Sequence, residues 1–170
     1  MAKIGLFYGS TTGKTADVAE QIKAALGGDS VLDTYDIADV EVAQLTDYDY
    51  LILGCPTWNI GDLQTDWEGI FDDLDTIDFS GKSVFYFGTG DQVGYADNFM
   101  DAIGILEEKI ASLGGETLGY WPTDGYDFSD SRAIRNGKFC GLVLDEDNQS
   151  DKTLERIQQW TTQIKPLLGL

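Results

Sequence analysis

The stretch Gly9-Ser10-Thr11-Thr12-Gly13-Lys14-Thr15 decides how this chain is read. An apolar run precedes it (Ile4, Leu6, Phe7, Tyr8), and apolar residues at helical spacing follow it (Val18, Ala19, Ile22, Leu26). A strand therefore enters a turn of glycines and hydroxyls and leaves as a helix. Such a turn aims free backbone N–H groups, together with the positive end of a helix dipole, at one point in space. That arrangement is a cradle for phosphate.

Outward from the turn, residues 3–8 read as the first strand and about 13–26 as the first helix, ended by Gly27-Gly28-Asp29. Residues 31–37 give a second strand, and 50–54 (Tyr-Leu-Ile-Leu-Gly) a third, apolar throughout as a strand covered on both faces should be. Leu63, Trp67, Ile70, Phe71 and Leu74 predict a helix over 62–74, and 83–88 a fourth strand. Asp97 is expected to cap a helix that buries Phe99, Ile103, Leu106, Ile110 and Leu113 and stops at Gly114-Gly115. Residues 117–120 open a fifth strand. A turn-rich segment, 121–138, interrupts it before the pattern resumes over 139–144. Ser150 is expected to cap the last helix, with Leu154, Ile157, Trp160 and Ile164 inward and Pro166 ending it.

Strands alternating with helices in this way mean an α/β domain with a parallel sheet, helices on both faces and the last strand split by an insertion. A five-stranded order 2-1-3-4-5 places the crevice between strands 1 and 3, beyond their carboxyl ends. No repeat or linker interrupts the 170 residues, so one domain is expected.

Charge is the outlying property. Eleven Lys and Arg against 30 Asp and Glu give a net charge of −19. Nucleic acid and anionic membrane surfaces are disfavoured as partners, and basic protein surfaces are favoured. Acidity serving only solubility accounts for the same composition. With no histidine, imidazole acid–base chemistry is excluded. Two cysteines, Cys55 and Cys140, form neither a disulfide framework nor a CxxC pair, so a reducing cytoplasm is expected. No apolar run suits a membrane span, and the strand beginning at Lys3 leaves no room for a signal peptide.

Three segments meet at the predicted crevice: residues 9–15, 55–62 and 88–95. The second and third each carry an aromatic residue in a loop, Trp58 and Tyr95, where glycines allow close backbone approach. Two aromatic faces suit a flat heteroaromatic ring. Ordinary core packing is the competing role for both, but neither sits in a periodic apolar run. A Walker A motif needs four residues between its glycines; Gly9 and Gly13 enclose three, and no Walker B aspartate ends the third strand. A receiver domain would need carboxylates after strand 1, where Tyr8-Gly9-Ser10 has none. Asp145 and Asp147 do not match an EF-hand, so no metal site is expected.

These residues resemble a known family. Ile4-Gly5-Leu6-Phe7-Tyr8-Gly9, the Thr-Gly-Lys-Thr loop, Cys55-Pro56-Thr57-Trp58-Asn59-Ile60-Gly61 and Gly88-Thr89-Gly90-Asp91-Gln92-Val93-Gly94-Tyr95-Ala96-Asp97-Asn98 look like flavodoxin. The likeness continues through Gly119-Tyr120-Trp121 and residues 145–151 and spans essentially the whole chain. The interrupted fifth strand marks the long-chain group, and the likeness is greatest to cyanobacterial members. The 2-1-3-4-5 order with its ligand at the switch point is already known for flavodoxins.

The resemblance implies non-covalent FMN. Its phosphate falls on Ser10, Thr11, Thr12, Gly13, Lys14 and Thr15, with Lys14 pointing to solvent. Trp58 and Tyr95 flank the isoalloxazine. Pro56, Thr57, Asn59, Ile60, Gly61, Thr89, Gly90, Asp91 and Asn98 edge the ring or ribityl chain, with Asp147 nearby. It implies a low-potential one-electron carrier, working between semiquinone and hydroquinone, rather than an enzyme. A flip of the Asn59–Ile60 peptide would tune the first reduction and the negative protein the second. The implied partners are photosystem I as donor and ferredoxin–NADP⁺ reductase as acceptor, met by a monomer through the acids between Asp62 and Asp78. A solvated helix face would explain those acids equally. An FMN-dependent reductase with its own small substrate is the alternative function.

Overall fold

The computed structural model describes residues 3–58 and 61–170, without the side chain of Trp58. The chain runs β1 (Ile4–Tyr8), α1 (Lys14–Leu26), β2 (Asp33–Asp36), β3 (Tyr50–Gly54), β4 (Thr57–Trp58), β5 (Asp62–Leu63), α2 (Thr65–Ile70), β6 (Ser83–Thr89) and α3 (Asp101–Ser112). It continues through β7 (Glu116–Leu118), β8 (Trp121–Pro122), β9 (Ile134–Arg135), β10 (Lys138–Phe139), β11 (Leu142–Leu144) and α4 (Thr153–Ile164).

The main sheet is parallel, ordered β2-β1-β3-β6 with β7 and β11 sharing the outer edge of β6. β7 pairs Glu116 to Leu118 with Ser83 to Phe85, and β11 pairs Leu142 to Leu144 with Phe87 to Thr89. With the two halves taken as one interrupted strand, this is the expected 2-1-3-4-5 order. Leu6, Phe7, Leu51, Ile52, Leu53, Val84, Phe85, Tyr86 and Phe87 are all fully buried, without alternation, because helices cover both faces. α1 and α4 pack together on one face and α3 lies on the other, against β6 and β7.

The break in the edge strand is held by Gly141. A Cβ there would lie 2.1 Å from the carbonyl oxygen of Tyr86, so only glycine lets the returning chain close on β6. Within the interruption, β8-β10-β9 form a small antiparallel sheet.

Several boundaries differ from the sequence reading. Strand 2 is shorter than 31–37, because Ile37 already opens a 3-10 turn whose N-terminus the Asp36 carboxylate caps. Residues 62–74 are not one helix: Asp62–Leu63 pair with Thr57–Trp58 as a hairpin, α2 spans only Thr65–Ile70, and Asp72–Thr76 is 3-10. Asp97 caps nothing. It lies in a separate 3-10 turn, Ala96–Asn98, and α3 begins after Met100, whose φ of +61° is left-handed. Ser150 makes no capping bond either, since a 3-10 turn, Ser150–Lys152, precedes α4. Leu154 is 59% exposed rather than inward, whereas Ile157, Trp160 and Ile164 are buried as expected. The inward stripe of α4 runs through Thr153, Arg156, Ile157, Trp160, Thr161 and Ile164, which leaves Leu154 on its outer flank.

Candidate functional site

A cleft of about 260 Å³ opens beyond the carboxyl ends of β1, β3 and β6. Its wall includes Thr11, Thr12 and Lys14 from the first turn, Pro56 and Thr57 after β3, and Thr89, Gly90, Asp91, Tyr95 and Asn98 after β6. Asp147, with Glu146, closes it from the loop after β11. Ten residues expected from sequence at the phosphate, ring and ribityl positions, and Asp147, therefore meet at one place. Ser10, Gly13, Thr15 and Gly61 are not part of this wall. Asn59, Ile60 and the Trp58 side chain lie outside the described residues.

The first turn is built to leave donors free. Gly13 sits at φ +88°, where a glycine is needed, and α1 starts with no side-chain cap. The first N–H groups of α1 have no intrahelical partner, so they remain available to an anion. Ser10 Oγ accepts from the Gly13 N–H at 3.1 Å, which holds the turn shut. Gly9 must be glycine, since a Cβ would lie 2.2 Å from Gln64 Oε1 and 2.8 Å from Trp67 Cδ1. Thr15 is buried at the head of α1. Lys14 does not simply point to solvent: its Nζ reaches Asp147 at 3.2 Å, bridging the cleft mouth with both side chains about half exposed.

The second segment is pinned from below. The Thr57 hydroxyl accepts from the Ala102 N–H at 3.3 Å, tying β4 to the start of α3. Gly61, at φ +81°, packs where a Cβ would meet Asp101 Oδ2 at 2.7 Å. Asp101 itself is buried, accepting from Asn98 Nδ2 at 3.3 Å and from the Arg132 N–H at 2.7 Å.

The third segment is a turn wound around carboxylates. Asp91 Oδ1 accepts from Val93 N at 3.0 Å, Gly94 N at 2.7 Å and Asn148 Nδ2 at 2.8 Å. The Gly94 N–H, first among these, holds the Asp91 carboxyl below the usual carboxylate range. Tyr95 stands on this turn, 45% exposed, with Val93 beside it at 72%. Beneath it lies Asp145, fully buried, whose carboxylate accepts from Gln92 and Asn148. Gln92 Oε1 in turn accepts from the Asp127 N–H at 2.7 Å, within the interruption of the fifth strand.

Sequence reasoning missed Phe99, Met100 and Glu146 in the wall, and Gln64, Gln92 and Asp145 behind it. Phe99 was expected on a helix face; it precedes α3 and packs on Tyr126, Phe128 and Phe139. Met100 is buried with its sulfur close beneath Gly90. No local pattern marks a buried left-handed methionine. Buried amides in loops are equally silent until their partners are known.

A doubly wound parallel sheet whose switch-point cleft pairs an uncapped helix N-terminus with a ring-sized, partly aromatic wall defines the class: an α/β protein that holds a phosphate-bearing ligand. The particular family follows from comparison. The Flavodoxin family model matches residues 6–160, and the chain belongs to the flavodoxin family. It is similar to the flavodoxin of Nostoc sp., 65% identical over 168 residues covering 99% of this chain and 98% of the relative. It is also similar to that of Picosynechococcus sp., 61% identical over the full 170 residues of both. A crystal structure of Fusobacterium nucleatum flavodoxin bound to flavin mononucleotide superposes with a TM-score of 0.93 at 35% identity, covering 98% of this chain and 99% of that one.

Among the described residues no helix is long and apolar enough to cross a membrane.

Proposed function

We propose that this chain binds FMN non-covalently in the cleft and acts as a low-potential one-electron carrier. One observation carries this reading. At a single crevice, neutral phosphate donors on the first turn of α1 face a wall bearing Tyr95 and the glycine-rich turn after β6. The donor set fits a phosphate monoester: hydroxyls of Thr11 and Thr12 line the cleft, and the free N–H groups of α1 need no metal counter-ion.

In this reading Ser10, Thr11, Thr12, Gly13 and Thr15 hold the phosphate, and Lys14 with Asp147 closes the mouth. Trp58 and Tyr95 cover the ring. Pro56, Thr57, Asn59, Ile60, Gly61, Thr89, Gly90, Asp91 and Asn98 contact the ring edge and ribityl chain. FMN supplies one-electron redox chemistry when bound, working here on the lower of its two couples. The protein's part is to exclude water and set the electrostatics. A unit negative charge about 10 Å away disfavours a second negative charge by about 1–2 kcal/mol at an effective dielectric near 20. With a net charge of −19, many such charges act together and hold the potential low.

The acids Asp62, Asp66, Glu68, Asp72, Asp73, Asp75 and Asp78, with no Lys or Arg from 62 to 81, form the docking face for basic redox partners. In this reading the donor is photosystem I, the acceptor is ferredoxin–NADP⁺ reductase and the carrier is a cytoplasmic monomer; the likeness to cyanobacterial flavodoxins supports it. The test is direct. The purified protein should be yellow, release one FMN per chain on acid precipitation, and consume no NADPH by itself. A colourless protein that takes up no FMN would overturn the proposal.

A further inference from the structure

Gln64 joins the hydroxyl-rich turn to α2. It is 1% exposed, and every polar atom of its amide is engaged. Its Oε1 accepts from the Asp66 N–H at 3.1 Å, capping α2. Its Nε2 donates to the Asp66 carboxylate at 2.8 Å and to the Thr11 hydroxyl at 3.1 Å. The reversed amide would set oxygen against carboxylate and NH₂ against N–H, so Asp66 fixes the orientation from both sides.

A directional consequence follows for Thr11. Its hydroxyl oxygen already accepts a hydrogen bond from Gln64, so its own hydrogen is directed elsewhere, and Thr11 lines the cleft. Ser10 repeats the pattern, accepting from the Gly13 N–H and keeping its hydrogen to give. Lys14, the cation of the turn, is drawn aside to Asp147. Orientation of neutral hydroxyls therefore replaces positive charge as the device that recognises an anion.

We propose that Gln64 is a positioning residue: it presets the Thr11 hydroxyl as a donor and so gives the turn its preference for a phosphate monoester dianion. The proposal rests on the cleft being the FMN site. Hydrogen bonds given to a charged acceptor are the strong ones, and a preset donor need not reorient when the anion arrives. The effect is confined to the phosphate end of the ligand, because Gln64 contacts nothing at the Tyr95 end among the bonds described.

The experiment is titration of the full-length apoprotein with FMN and, separately, with riboflavin, which lacks the phosphate. Gln64→Glu is nearly isosteric but turns the donor into an acceptor that takes the Thr11 hydrogen. FMN affinity should fall roughly tenfold to a hundredfold, with riboflavin affinity within about threefold of wild type. Riboflavin binding also reports that the variant is folded. A second variant separates hydroxyl steering from plain charge repulsion: in a Thr11→Val background, the Gln64→Glu loss should shrink to a minor part of its size. Equal losses for FMN and riboflavin, or an undiminished loss in the Thr11→Val background, would overturn the proposal. Failure of the wild-type apoprotein to bind FMN would instead overturn the cofactor reading beneath it.

Discussion

Asp145 and Gln92 are bound to each other twice. One buried carboxylate oxygen of Asp145 accepts both the backbone N–H of Gln92, at 3.1 Å, and its side-chain amide, at 2.7 Å. The loop after β6, which carries Tyr95, is thereby fastened to the loop after β11, which carries Asp147. Replacing Asp145 with alanine leaves the two Gln92 donors buried and unpaired. The expected cost is about 2–4 kcal/mol of stability, read by urea unfolding, with weaker FMN binding alongside. An unchanged midpoint would contradict the brace.

The interruption of the fifth strand supports the same loop from beneath. The Ser129 and Asp130 N–H groups donate to the Ala96 carbonyl at 2.9 and 3.0 Å, and the Phe99 N–H donates to the Asp130 carbonyl at 3.2 Å. Phe99 is buried against three aromatic rings of that segment. Phe99→Ala should cost about 3–5 kcal/mol, while Phe99→Leu should cost much less. Both are measurable by thermal unfolding, and FMN affinity should fall in the same order.

Acid should loosen the turn that Asp91 holds. Its folded carboxyl is held below the unfolded value of about 3.9. Its contribution is therefore present above that unfolded value and is lost as pH falls through the lower, folded one. The stability difference between wild type and Asp91→Asn should be constant from neutral pH down to about pH 5, and should close below about pH 4. A difference that grows with acid would contradict the assignment.

Neither cysteine should behave as a reactive thiol. Cys55 and Cys140 are fully buried, and burial, the largest cause in both, pushes each thiol up to about 12. Iodoacetamide at pH 8 should leave the native protein unlabelled over hours and modify both sites after unfolding. Rapid labelling of the native chain would show that the core opens more readily than its packing implies.

The acidic surface should show itself in kinetics. Raising ionic strength from about 0.01 M to 0.1 M shortens the Debye length from roughly 30 Å to 10 Å. Association with a basic redox partner should slow steeply across that range, as stopped-flow mixing would register. The Lys14–Asp147 bridge, half exposed, should by contrast matter little: Lys14→Ala should change stability by less than about 1 kcal/mol.

The architecture was legible because its signals are local. The strand-turn-helix at Gly9 to Thr15, the uninterrupted apolar runs of β3 and β6, and the glycines ending α1 and α3 each state their role within a few residues. The errors at Asp97 and Ser150 share one cause. Each has a capping side chain at a plausible spacing, but a 3-10 turn intervenes and takes up the chain before the helix starts. The cleft wall was legible wherever it is made of turn residues. Gln64, Gln92 and Asp145 were not, because the bonds that define them run to partners 35 to 53 positions away or rest on burial, which periodicity does not report. Asp127 and Gln92, 35 apart, illustrate the point.

Gly141 sets the height at which the last loop arrives. A side chain there would strike the Tyr86 carbonyl, so the returning strand can seat on β6 in one alignment, Leu142 against Phe87 and Leu144 against Thr89. Sliding by a single position would carry Asp145 about 3.3 Å along the sheet and turn it to the opposite side. The joint thus works as an alignment key: one hydrogen-sized side chain at the far end of a three-residue strand dictates where the rim acids stand relative to the mouth.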